Sequence, residues 1–242
     1  MNETPIISVV MPCFNSEKYL REALQSYLAN AFAGVELVVV DDGSTDRSVQ
    51  IAKETVPDCV LIQQQHQGPA PARNRGLEAA RGEFVTFLDS DDLWPEGTLA
   101  RLLESQRSSS ARIAQGMVET FACGEVAPAM RARLKDEPFY SVSLGSALFY
   151  REDLRELNGF DETLAFGEDT DLWIRCWEKG IEKTLLPEVT LCYRLHDANM
   201  TIQSASDPRT LLRVMKRHRD RMQGRSPVAA VSLTSYLGSV QK

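Results

Sequence analysis

The stretch that most constrains this chain is FVTFLDSDDLW, residues 84–94. A largely apolar run, 84–88, ends in three aspartates within four residues: Asp89, Asp91 and Asp92. Its length and its β-branched and aromatic residues predict a strand buried on both faces. Carboxylates crowded at the exit of such a strand repel one another and resist desolvation, so a positive partner is required nearby. A divalent cation with oxygen preference meets that need, and a diphosphate arriving with it would complete its coordination. The carboxyl ends of strands are also where open α/β sheets hold their ligands. The competing reading has Asp89 and Asp92 only shape a turn before Pro95 opens a helix. D-x-D-D after a buried strand favours the metal.

Short apolar runs followed by polar turns recur through the first half of the chain. Residues 6–11 predict a strand that turns out through Pro12, Cys13, Phe14 and Asn15. A helix over 17–30 follows, with Tyr19, Leu20, Ala23, Leu24, Tyr27 and Leu28 at helical spacing and Ser16 or Asn15 as its N-cap. Residues 35–40 predict a strand ending in DDGSTD, then a helix over 47–55, a short strand at 60–63 and a helix over 72–80. This alternation implies a parallel sheet with right-handed crossovers. With 242 residues, 43% of them hydrophobic, one sizeable α/β domain can fill its core. Beyond Trp94 the pattern weakens. Helices are expected at 95–107, 151–157 and 169–179, and strands at 143–150 and within 185–193. Residues 111–140 allow no assignment.

Three further groups point toward the same crevice. Asp41 and Asp42, at the second strand's exit, can accept hydrogen bonds from a nucleobase or ribose. Alone, they serve equally well as turn formers at a helix start. In the predicted helix at 169–179, Asp169, Trp173, Cys176 and Trp177 share one face, with Glu168, Asp171, Arg175 and Glu178 on others. Asp169 thus heads an inward apolar stripe, where a carboxylate can act as a general base. The plainer role is a helix-start acid. His196 follows a strand, with Arg194 two residues before it, and either packs or completes a metal or diphosphate site.

Net charge is −7: residues 206–242 carry eight Lys/Arg against two Asp, +6, which leaves −13 for the rest. The acidic body argues against general nucleic-acid binding. The five scattered cysteines show neither metal spacing nor a disulfide framework, and no signal peptide or membrane-length apolar run is evident. A cytoplasmic location is expected. In the tail, 208–222 predicts a basic helix with Leu211, Met215 and Met222 aligned and Arg213, Lys216, Arg217 and Arg219 flanking. Packing on the acidic body or against a second copy is favoured over peripheral contact with an anionic membrane.

The chain resembles family-2 glycosyltransferases of the GT-A fold. The segments VVMPCFNSEKYL, ELVVVDDGSTDRS, QQHQGPAPARNRGLEAARGEF, FLDSDDLW, FGEDTDLWIR and YRLHDANMT carry the resemblance, in the family's order and spacing over roughly 6–201. It implies one catalytic domain at 1–205, with a nucleotide-binding half at 1–94 and an acceptor half at 95–205, followed by a basic tail at 206–242. Pro12 and Phe14 would line the base pocket, Asp42 would hold the base edge, and Arg73 would contact the nucleotide. Asp89 and Asp91 match the family's D-x-D around Ser90. Asp91 is implied as the direct ligand of Mn(II) or Mg(II), Asp89 lies nearer the ribose but remains a metal candidate, and Ser90 belongs to the donor site. His196 matches a histidine that meets the metal or diphosphate, and Asp169 the catalytic base. The implied reaction is an inverting displacement from a nucleotide sugar, UDP-linked by family habit, onto a saccharide or lipid-linked hydroxyl in bacterial surface-polymer synthesis. No Q-x-x-R-W of processive synthases is present, which argues for one or a few sugars per acceptor. The alternatives are an inactive sugar-nucleotide-binding relative and a nucleotidyltransferase. The latter lacks its glycine-rich loop here, as a dinucleotide oxidoreductase would lack G-x-G-x-x-G.

Overall fold

In the computed structural model, residues 4–124, 126–197, 199, 209–224, 228–229 and 231–238 are described. Strand β1 (Ile7–Cys13) explains why the early strands read as unbroken apolar runs. Ile7, Val9 and Met11 pack into one core layer and Val10 into another, so both faces of the strand are covered. With β2 (Val35–Asp41), β3 (Val60–Gln63), β4 (Phe84–Phe87), β5 (Ile113–Ala122), β6 (Ala147–Tyr150) and β7 (Lys183–Leu195), it forms one sheet in the order β3-β2-β1-β4-β6-β5-β7. Only β6 runs against the rest. The sheet is therefore mostly parallel, as expected.

Helices α1 (Leu20–Asn30), α2 (Ser48–Thr55) and α4 (Thr98–Arg107) cover one face. Helices α3 (Pro69–Ala79), α6 (Arg151–Glu156) and α7 (Glu168–Glu178) cover the other. A short helix, α5 (Pro128–Arg131), follows β5. Chain order turns back at β1, with β2 and β3 to one side and β4 to the other. That reversal opens a crevice beyond the carboxyl ends of β1, β2 and β4. Helix α3 lies so close to β1 that a Cβ on Gly76 would stand 2.3 Å from a Val10 methyl. Only glycine permits this approach, and it holds Arg73, one turn earlier, over the strand ends.

Several boundaries differ from expectation. Helix α1 starts at Leu20 because residues 17–19 form a turn: Ser16 O accepts from the Tyr19 and Leu20 amides at 3.0 and 2.9 Å. Glu17 is drawn off to the neighbouring loop, its amide donating to Asp46 Oδ2 at 2.9 Å and its carboxylate accepting from the Arg47 amide at 3.1 Å. Helix α3 begins earlier, at Pro69, whose fixed φ suits a first turn. The unassigned region supplies β5, which pairs along β7 with register shifts near Met117.

Helix α7 carries the clearest correction. Glu168 and Asp171, expected off the inward face that Asp169 heads, are buried, Asp171 completely. Arg73 draws Glu168 in, and the tail helix α8 (Arg209–Met222) covers Asp171. Arg221 donates to Asp171 at 3.0 Å and to Glu178 at 2.8 Å, and His218 Nδ1 lies 2.7 Å from Glu178. Arg175 holds the other Asp171 oxygen at 2.7 Å. The tail thus packs on the acidic body, but through Val214 against Leu164 and Ile174, not through the Leu211–Met215 stripe. A short helix, α9 (Leu233–Tyr236), closes the far end, with the Tyr236 hydroxyl donating to Ile181 O at 2.7 Å. Among the described residues no helix is long and apolar enough to cross a membrane.

Arg221→Met strips Asp171 and Glu178 of a buried partner. The unfolding free energy should fall by ~1–3 kcal/mol in urea titration. An unchanged midpoint would show that this pairing does not hold the tail.

Candidate active site

The crevice is built on the turns that leave β1, β2, β4 and β7. The first two are stitched together. Asn15, at φ 47°, accepts from the Thr45 amide at 2.8 Å, its own amide donates to Ser44 Oγ at 2.9 Å, and the Ser16 amide donates to Ser48 Oγ at 2.8 Å. Ser16 Oγ also lies 2.7 Å from Ser90 Oγ, which joins the β1 turn to the D-S-D-D loop. Pro12 is half-buried here, while Phe14 is 43% exposed and stacks on His66 with ring centroids 3.9 Å apart.

Asp42 is buried and already served by its own neighbourhood. It accepts from Gln64 Nε2, the Gln67 amide and the Gly68 amide at 2.8, 2.9 and 2.8 Å, and His66 Nδ1 stands 2.8 Å away. The structure therefore has Asp42 shaping the 64–68 loop that bears His66 against Phe14. Asp41 accepts from the Ser44 amide and Gln63 at 3.3 and 3.4 Å, a turn role.

The acids after β4 divide between two buried arginines. Arg73 donates to Asp89 at 2.8 Å and to Glu168 at 2.5 Å. Burial works against its charge, but Asp89 and Glu168 more than offset that and hold the guanidinium above its ordinary value. Arg194, 1% exposed, donates its amide to Asp92 at 2.8 Å, Nε to Asp91 O at 2.7 Å and Nη2 to Glu22 at 2.7 Å. Its guanidinium carbon sits 4.7 and 4.9 Å from the Tyr19 and Phe121 ring centroids. Burial, with Asp91 and Asp89 beside it, pushes the Asp92 carboxyl well above the usual range.

Asp91 faces His196. Its Oδ2 lies 2.9 Å from His196 Nε2 and 3.5 Å from Asn199 Nδ2. Asn199 also accepts from the His196 amide at 2.5 Å, so it fixes both partners. Among the described residues no three His, Cys, Asp or Glu side chains converge as a metal cage. Asp89 is turned to Arg73, which leaves Asp91 and His196 as the adjacent donors. One carboxylate oxygen and one imidazole nitrogen suit a cation whose remaining positions are filled by phosphate and water.

Asp169 stands at the start of α7, next to Arg73's partner Glu168. It accepts from the Thr170 amide at 2.6 Å. Burial and then the Glu168 charge push its carboxyl up to about 6, with Arg73 pulling the other way. That value suits a group that takes a proton near neutrality.

The comparisons agree with this architecture. The model of "Glycosyl transferase family 2" matches residues 8–158, more than half of the chain. The chain belongs to glycosyl transferase family 2. "Uncharacterized glycosyltransferase EpsJ" of Bacillus subtilis is 27% identical over 224 residues, covering 81% of this chain and 63% of EpsJ. The chain spans less than two thirds of the length of the curated family-2 relatives it matches. S. aureus TarS 1–349, solved in complex with UDP-GlcNAc, superposes over 96% of this chain and 69% of its own, with TM-score 0.72 at 23% identity. Mannosyltransferase PcManGT of Pyrobaculum calidifontis, in complex with GDP-Man and Mn2+, covers 93% and 66%, with TM-score 0.66 at 21% identity. Both neighbours show the family's GT-A fold in this chain.

Sequence reasoning missed three parts of this family-2 crevice. Glu168 was expected off the inward face; the basic residue in ARNRG is what draws it in. His66 carried no periodic signal, because it lies in a loop. Arg194 was noted only as a neighbour of His196, although an arginine in an otherwise apolar strand end is itself a signal of a buried pair. Arg194→Met should cost ~2–4 kcal/mol in denaturant titration and loosen the 89–92 loop. A loss below ~0.5 kcal/mol would mean Arg194 does not organise it.

Proposed function

We propose that this protein transfers a sugar from a nucleoside-diphosphate sugar to an acceptor hydroxyl, with inversion at the anomeric carbon. The observation that supports the reading is that Asp169, whose carboxyl is pushed up by burial, and the Asp91–His196 pair both flank Arg73 and the acids after β4. Family membership supports the reaction class. The bound UDP-GlcNAc of TarS and GDP-Man of PcManGT support a nucleotide-sugar donor, with UDP the nucleotide we favour. A surface-polymer role is in keeping with the relative named "Minor teichoic acid biosynthesis protein GgaB" of Bacillus subtilis.

In this mechanism Phe14 and Pro12 flank the base, and Asp42 supports the pocket through the 64–68 loop. Arg73 and Asp89 meet the ribose and phosphate side, with Ser90 bracing the loop through Ser16. Asp91 and His196 would hold the divalent cation, Mn(II) by analogy with PcManGT, which when bound supplies positive charge for the departing diphosphate. Asp169 takes the acceptor's hydroxyl proton as that oxygen bonds to the anomeric carbon. The bond from that carbon to the diphosphate oxygen breaks, and its electron pair leaves with the nucleotide. No covalent enzyme intermediate is formed.

Asp169→Asn should leave nucleotide binding within a few-fold and lower transfer by on the order of a thousandfold. Lost binding would instead make Asp169 structural. Because its pKa is raised to about 6, the ionised base dominates above that pH, so kcat/KM should fall as pH drops through about 6. A profile flat down to pH 4 would refute the assignment. Asp91→Ala should abolish the metal dependence of nucleotide binding, and unchanged dependence would remove it as a ligand.

A further inference from the structure

Helix α8 meets the body through the side that carries Val214. Val214 is buried, while Arg217, His218 and Arg221 on the same side pair with Asp161, Glu178 and Asp171. The neighbouring flank carries Leu211, Leu212 and Met215, which are 61%, 68% and 38% exposed. Lys216 and Arg219 follow Leu212 and Met215 at i+4, both exposed, so a basic row lies along the apolar one. Within the helix, six Lys/Arg face a single acid, Asp220, on a chain of net charge −7. Packing explains the inner cations. It does not explain three exposed large apolar side chains beside a second set of them.

We propose that this flank of α8 docks the protein on an anionic lipid surface, with Leu211, Leu212 and Met215 entering the headgroup region and Lys216 and Arg219 meeting lipid phosphates. An amphipathic helix that lies in an interface has this division of apolar and basic residues. A second copy of the chain fits less well. A two-fold contact would bring Lys216 and Arg219 against the same row in the partner.

The docking has a consequence for the crevice. Gly167, at φ 79° before Glu168 and Asp169, packs against the start of α8: a Cβ there would stand 3.1 Å from a Thr210 methyl and 3.3 Å from a Val214 methyl. The docking helix is therefore the one packed against the turn that leads into Glu168 and Asp169. The docking itself does not depend on which donor the crevice takes.

The test is flotation of the full chain with vesicles of phosphatidylglycerol and phosphatidylcholine, against vesicles of phosphatidylcholine alone. The protein should rise with the anionic vesicles, stay down with the neutral ones and be released by ~1 M salt. The variant Leu211→Glu, Leu212→Glu, Met215→Glu should keep the wild-type unfolding midpoint, since all three side chains are exposed, and lose at least about tenfold in vesicle-bound fraction. Wild-type protein that stays at the bottom overturns the proposal. So does a triple variant that floats as well as wild type. A wild-type dimer in light scattering that the triple variant converts to monomer would assign the flank to a second copy instead.

Discussion

Two buried arginines hold this crevice together. Arg73 and Arg194 enter from opposite sides of the β4 exit, one from α3 and the other from the end of β7. Between them lie Asp89, Asp91, Asp92 and Glu168, with Asp169 just beyond, a density of carboxylate that would repel itself apart without fixed positive charge. Arg73 takes the acids that face α7, and Arg194 takes the backbone and the buried Asp92. The Asp92 carboxylate is held by the Arg194 backbone amide, and the Asp91 carboxylate is left to His196. In the proposed reaction, the acids bound to Arg73 and Arg194 would fix geometry, and Asp91, which faces imidazole, would meet the cation.

The proposed base is positioned with the same economy. Asp169 sits at the head of α7, whose core face is filled by Leu172, Trp173 and Cys176 and whose back is clamped by Arg221 through Asp171. The tail is therefore not an appendage to the rest of the chain. It supplies the counter-charge that lets α7 bury an aspartate completely, and so fixes the helix from which Asp169 projects.

Much of this was legible before any coordinates. The first half follows a strict strand–helix rhythm because its strands are covered on both faces, and sequence periodicity reads that situation well. The acids of FLDSDDLW and FGEDTDLW and the histidine of YRLH stood out because charged groups at strand and helix ends are costly unless used. The region 111–140 was opaque for an equally physical reason. β5 alternates weakly, its pairing with β7 shifts register near Met117, and its return through Phe139 to Val118 is a single bridge. The inward turn of Asp171 was unreadable because helical spacing says which residues share a face, not which faces a distant segment will cover. Leu211 and Met215 illustrate the same limit: the stripe was visible, yet Val214, beside it, does the packing.

The account depends most on a nucleoside diphosphate and a cation meeting at Asp91 and His196. The direct measurement is the thermal unfolding midpoint with UDP, GDP, dTDP and CMP, each with and without Mn(II). At about a hundred times its dissociation constant, a bound nucleotide should stabilise the fold by roughly 2.7 kcal/mol. The account predicts a rise with a nucleoside diphosphate that requires the metal. No rise with any nucleotide, or an equal rise without metal, would contradict it.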